Sequence, residues 1–259
     1  MMNVHELPHA LDRTLDIRAQ RPTVFRFFTD AVRWAAWWGA GSTIDPRVGG
    51  AVFIRYPEGT EAAGAVVEIA PPERFVFSFG FVKGTPIAVG GSLVTIRLED
   101  RGRVTRVHLS HAFADAGLRD AFVQGWRYQL SLFANTVAND IHGDAKTTVD
   151  RWFAAWSDQD AAARDTSLKA LAADAIRMGD RFSAIQGIDD LIAHVAAARH
   201  FMPGVRMERD GDVRQCQGLV LADWIARSAD GTQIATGTNV FALDGDGKIE
   251  SVTGFWSGQ

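Results

Sequence analysis

Cysteine is nearly absent: Cys216 is the one thiol in 259 residues. A single cysteine excludes an intrachain disulfide and any multi-cysteine zinc site. Its setting reads as a small buried strand residue rather than a reactive thiol. No run approaches the ~20 apolar residues of a membrane-spanning helix. The opening "MMNVHELPHALDR" has no apolar segment of signal-peptide length and carries acids early. Basic excess is lacking too. Lys and Arg number 27 against 31 Asp and Glu, the formal net charge is −4, and no basic run occurs. These features set aside nucleic acid and anionic membrane as partners. The glycines of "VGGAVF" and "AVGGSL" stand in no GxGxxG or GK[ST] context. The expectation is a cytoplasmic protein that takes no cofactor, metal, nucleic acid or membrane.

Metal spacing is missing as well. His108 and His111 lie three apart on an alternating stretch and so point to opposite faces. His194 and His200 lie six apart, away from the i, i+4 spacing of helical metal pairs. "DGDGK" at 244–248 opens like a calcium loop but lacks its twelfth-position glutamate, and reads as a hairpin turn.

What the sequence does have is aromatic clustering and two different element orders. Trp34, Trp37 and Trp38 fall within "VRWAAWWGAG" and share one face of a helix predicted over 21–38. Strand candidates follow at 51–56, 64–70, 74–82, 92–100 and 104–113. In "RFVFSFGFV" Phe75, Phe77, Phe79 and Phe81 alternate onto one face. A helix over about 116–141 then carries Leu118, Phe122, Trp126, Leu130, Phe133, Val137 and Ile141 as one stripe. Gly125 inside it costs ~1 kcal/mol relative to Ala, which suggests close approach of something bulky. Gly143 marks a helix end, placing a domain boundary near 143–146. The second half starts with helices, with Val149, Trp152, Phe153 and Trp156 on one face, and has another at 188–201. It closes with three strands: "VRQCQGLVLADWIARS", "TQIATGTNVFALD" and "KIESVTGFW". Both halves are α+β. A curved sheet gripping a long helix leaves a concave, mostly apolar space suited to a small molecule. Trp34, Trp38, Phe77, Phe79 and Trp126 are the expected wall of that space in the first half.

Two family resemblances follow from these stretches. Residues ~10–142 resemble the START-like helix-grip (SRPBCC) superfamily, in its branch of bacterial relatives of the activator of heat-shock protein 90 ATPase. The matching features are "LDIRAQRPTVFRFFTDAVRWAAWW", "DPRVGGAVFIRY", "GAVVEIAPPERFVFSF" and Gly125-Trp126 in the last helix. Residues ~146–259 resemble the SnoaL-like, nuclear transport factor 2-like superfamily through "VDRWFAAWSDQD", "LAADAIRM…FSAIQGIDDL" and "TGTNVFALDGDGKIESVTGFW". The resemblance implies two domains. Residues 1–143 would form a helix-grip curved antiparallel sheet around a long C-terminal helix. Residues 146–259 would form a cone-shaped α+β barrel with a curved antiparallel sheet.

Catalytic residues carry over singly. The first-helix tyrosine of ketosteroid isomerases falls on Trp152. Their aspartate base falls on Met178 or, with a slipped turn, Asp180. Their protonated aspartic acid falls on Asn239, and a terminal-strand tryptophan on Trp256. SnoaL-type cyclases carry a catalytic aspartate where this chain has Trp256-Ser257. Neither reaction is supported by these residues as they stand. The weak catalytic candidates are Asp223, Asp180 and His194. Asp223 reads either as a boundary carboxylate paired with an Arg, such as Arg206 or Arg227, or as a cavity acid facing Asn239. Trp152, Trp156, Asn239 and Trp256 are the expected ligand contacts of the second half.

Three functions stay open. The first is a binder of small hydrophobic or aromatic molecules. The second is an isomerase, cyclase or hydrolase in the cone. The third is a non-catalytic module with a chaperone partner, or a homodimer through the C-terminal domain.

Overall fold

The computed structural model describes residues 7–257. It divides into two compact units, Met1–Val137 and Ala138–Gln259.

The first unit opens with strand β1 (His9–Ile17), followed by helices α1 (Arg21–Arg26) and α2 (Ala31–Trp38). The single helix predicted over 21–38 is therefore two. Asp30 breaks it by accepting a hydrogen bond from the Arg33 amide at 2.9 Å, a helix start that competes with helix continuation. Strands β2 (Thr43–Ile44), β3 (Ala51–Arg55), β4 (Glu61–Ala70), β5 (Arg74–Phe81), β6 (Ser92–Asp100) and β7 (Thr105–Phe113) follow. Helix α3 (Ala116–Ile141) comes next. The seven strands form one antiparallel sheet in the order β1-β7-β6-β5-β4-β3-β2. The stripe predicted on α3 meets this sheet: Phe122 packs 6.0 Å from Phe79 and 5.0 Å from Phe113. Deeper in, Phe133 lies 5.0 Å from Phe28 and 4.9 Å from Trp37.

α2 seals this core. Trp34 is fully buried, 5.7 Å from Phe77, and its Nε1 donates to the Phe53 carbonyl at 3.2 Å. Trp37 Nε1 donates to the Phe27 carbonyl at 3.2 Å. Both indoles bury their rings and satisfy their N–H groups on backbone, as a packed core requires.

The second unit begins with α4 (Ala145–Ser157) and α5 (Ala161–Leu171). Next come strands β8 (Ala172–Gly179) and β9 (Ala184–Gln186), then helix α6 (Ile188–Phe201). Strands β10 (Arg206–Cys216), β11 (Leu219–Arg227), β12 (Gln233–Leu243) and β13 (Ile249–Ser257) close it. The sheet order is β10-β11-β12-β13-β8-β9, antiparallel except for the β13–β8 pair. The first of the three predicted closing strands is a hairpin. Gln217 and Gly218 both take positive φ, 50° and 82°, which suits a two-residue turn between twisted strands. The sheet stays open where the resemblance implied a barrel, because α4 packs along β10 and β9 has three residues. Cys216, expected to be buried, is exposed at the end of β10. The core holds Trp152, Phe153, Leu191, Val220, Trp224 and Phe241, among others.

The Trp34 environment sets an expectation. Trp34→Ala removes a fully enclosed side chain and should destabilise the first unit by ~3–5 kcal/mol. Chemical denaturation followed by near-ultraviolet circular dichroism measures this. A loss below about 1 kcal/mol would contradict the core assignment.

Candidate functional site

α3 does not fill the concave face of its sheet. A cavity of about 890 Å³ remains, bordered by Trp38, Tyr56, Phe79, Phe122, Trp126 and Gln129, among others. Trp38 ends α2, Tyr56 follows β3, Phe79 lies on β5, and the rest stand on α3. Gly125 borders the space as well, and a Cβ there would meet nothing within 4 Å. The expectation that Gly125 admits a bulky neighbour is thus corrected: its missing side chain leaves open volume.

The walls are held by a chain of buried polar groups. Trp126 Nε1 donates to His111 Nδ1 at 2.9 Å, His111 Nε2 meets Ser92 Oγ at 2.9 Å, and Ser92 Oγ donates to the Phe79 carbonyl at 2.9 Å. An indole can only donate, so His111 Nδ1 is the acceptor and Nε2 carries the hydrogen. His111 is fully buried, and burial pushes its pKa down to about 3. The imidazole is therefore neutral at physiological pH. His108 lies on the other face of β7, 3.0 Å from Glu99, as the alternation required.

Two residues that border the cavity carry a polar group without a hydrogen-bond partner among the described residues. Trp38 Nε1 has no acceptor and is enclosed on all sides, so it does not open onto the cavity. No described residue bonds the Tyr56 hydroxyl, and its pKa is raised by burial and then by the charge of Glu58. The Trp38 and Tyr56 rings meet edge-on at 5.8 Å.

Of the expected wall residues, Trp38, Phe79 and Trp126 border the cavity. Trp34 and Phe77 do not: they pack on each other in the core behind it. Tyr56 and Glu58 were missed. They sit in a turn, where no periodicity reports which way a side chain faces.

In the second unit the structure gathers most of the candidates. Trp256 Nε1 donates to Asp180 Oδ2 at 3.3 Å, and the Phe182 amide donates to Asp180 Oδ1 at 2.7 Å. Trp224 Nε1 donates to Asn239 Oδ1 at 3.0 Å, and Trp224 and Trp256 stack edge-on at 5.1 Å. Gly254 lets these groups close up, since a Cβ there would stand 3.1 Å from both Asn239 Oδ1 and Asp180 Cβ. His194 Nε2 lies 3.1 Å from Ser183 Oγ, with Trp156 at 5.8 Å from its ring. No described residue bonds His194 Nδ1, so this Ser–His pair lacks the third group that orients a nucleophile's base. Trp152 is core, 5.9 Å from Phe241.

Asp223 takes the boundary-carboxylate reading, paired with an Arg, and not the cavity one. The alternation of β11 holds, but Val220, Ala222 and Trp224 take the interior. Asp223 is half exposed on the opposite face, accepting from Thr238 Oγ1 at 2.5 Å and pairing with Arg214 at 3.4 Å. It pairs with neither Arg206 nor Arg227, and its partner across β12 is Thr238 rather than Asn239. The indole of Trp224 claims the inward position next door, which forces Asp223 outward.

Residues 18–138 match the family model described as Activator of Hsp90 ATPase homolog 1-like protein. The match falls in the first unit. Solved structures add three similarities. A SnoaL-like family protein from Agrobacterium tumefaciens str. C58 is 29% identical, covers 44% of this chain and 97% of its own, and has a TM-score of 0.43. CalU16 from Micromonospora echinospora is 22% identical, with 53% and 82% covered and a TM-score of 0.42. An HSP90 activator from Plasmodium falciparum is 23% identical, with 46% and 87% covered and a TM-score of 0.38. A search of curated proteins found no match.

The buried imidazole of the first unit gives a pH expectation. His111 has a folded pKa near 3 against an ordinary value of 6.5. The unfolded chain therefore binds an extra proton between these values. Stability is full above about pH 6.5 and falls with acidification, by about 1.4 kcal/mol per pH unit near pH 5. Urea titrations from pH 7 to pH 4.5 measure the slope. His111→Gln should flatten it, and an unchanged slope in that variant would assign the effect elsewhere.

Proposed function

We propose that the first unit binds a small hydrophobic, ring-bearing molecule in the cavity between its sheet and α3. The observation that carries this reading is the cavity of about 890 Å³ bordered by aromatic side chains. The Tyr56 hydroxyl, which no described residue bonds, is a polar anchor at its edge. Aromatic walls supply the apolar contact and a polar group sets orientation, the usual division of labour in such pockets.

The second unit supports an enzymatic reading less well. Asp180, Asn239 and Trp256 converge, but both Asp180 oxygens and the Asn239 oxygen are occupied by neighbouring N–H groups. The chaperone-directed reading rests on the family description of residues 18–138. We take the two units to be separate domains, with the cavity as the functional centre of the first.

A thermal-shift screen with steroids, polyketide-like aromatics and fatty acids tests the ligand reading, followed by calorimetric titration of any hit. Tyr56→Phe keeps the ring, removes the hydroxyl, and should weaken binding by about two- to tenfold. Gly125→Leu should block the cavity with an unchanged or higher melting temperature, since Leu is the better helix former. No shift with any class retires the reading.

A further inference from the structure

The charge pattern at the cavity narrows its occupant. Among the residues that border the space, Glu58 alone is charged, and no Lys, Arg or His is present. No described residue forms an ion pair with Glu58, whereas neighbouring Glu61 is held by Arg55 Nη2 at 2.7 Å. Lys83 and Glu61 line an adjoining recess, which Glu58 also borders. Half of the other bordering residues are aromatic, and the remainder are aliphatic, small or neutral polar. Trp38 lies 5.8 Å from Tyr56 and 5.8 Å from Trp126, both at steep angles, so the three rings form a corner. The Trp126 N–H is bonded to a neutral imidazole, which leaves its ring face electron-rich and adds no positive charge behind it.

A carboxylate at the rim and indole and phenol faces within attract a cation and repel an anion. A fatty acid or another organic anion would bring its charge toward Glu58 and the negative ring faces, with no cation among the bordering residues to receive it. We propose that this cavity selects organic monocations: a ring-bearing body against the aromatic walls, and a tertiary amine or quaternary ammonium facing Glu58 and the aromatic corner. The proposal rests on the ligand-binding reading and adds charge selection to it.

A matched set of probes separates the two. 2-(2-Naphthyloxy)ethyl-trimethylammonium, 2-(2-naphthyloxy)ethanol and 2-naphthyloxyacetate share one ring system and one ether oxygen and differ in charge. Isothermal titration calorimetry with the full chain should show the cation binding about 5–30-fold tighter than the alcohol, with the carboxylate weakest. Glu58→Gln should remove most of the cation's advantage and leave the alcohol's affinity unchanged. Gly125→Leu should abolish binding of all three. If the alcohol or carboxylate binds as tightly as the cation, charge selection is overturned and the ligand reading stands. Cation binding that survives Gly125→Leu overturns the proposal by placing the site elsewhere, and failure of all three probes on the wild-type chain overturns both.

Discussion

Trp126 Nε1 donates to His111 Nδ1, and this one bond fixes the aromatic side of the long helix over the sheet. Its consequences run in both directions. On the helix it holds the indole that forms one cavity wall. On the sheet it sets the imidazole tautomer, which lets Nε2–H reach Ser92 and lets Ser92 reach the carbonyl of Phe79, the facing wall. Two opposite walls thus hang from the two ends of a single buried chain of donors and acceptors. Every member of that chain is satisfied, which is the condition under which a buried polar network rigidifies a core instead of weakening it.

That satisfied chain contrasts with Trp38, a few ångströms away on the same corner. Trp34 and Trp37 spend their N–H groups on backbone carbonyls, whereas Trp38 spends its N–H on nothing. Three tryptophans in one short helix therefore divide by role. All three are buried, and the third also borders the space that the core leaves open. The second unit shows the reverse balance: its interior is filled by Trp152, Phe153 and Phe241, and its polar candidates are mostly occupied with one another.

Much of this was readable from residue order. The alternating phenylalanines of β5 and the 3–4 spacing along α3 report burial because each element repeats at a fixed angle, so a side chain's face follows from its number. The same rule placed His108 and His111 on opposite faces. It failed where the chain turns. The Gln217–Gly218 hairpin was hidden inside an apolar-rich stretch, and Tyr56 and Glu58 sit in a turn with no period to read. Asp223 shows a subtler limit. Alternation grouped it correctly with Leu219, Leu221 and Ile225, but alternation does not say which of two faces is inside.

By itself the sequence determined the element types, the α+β character of both halves and the amphipathic stripe of the long helix, because these depend on local periodicity and turn chemistry. It also placed an aromatic cluster at the end of α2. Only the tertiary structure decided which indoles, Trp38 and Trp156, leave a buried N–H without an acceptor, that the sheet of the second unit stays open, and that Asp223 faces outward. Those outcomes turn on competition between distant groups for the same space and the same hydrogen-bond partners: Phe53 and Phe27 carbonyls for two of the tryptophans, Trp224 for the inward position on β11. Such competition is settled by three-dimensional packing, which no spacing rule along the chain contains.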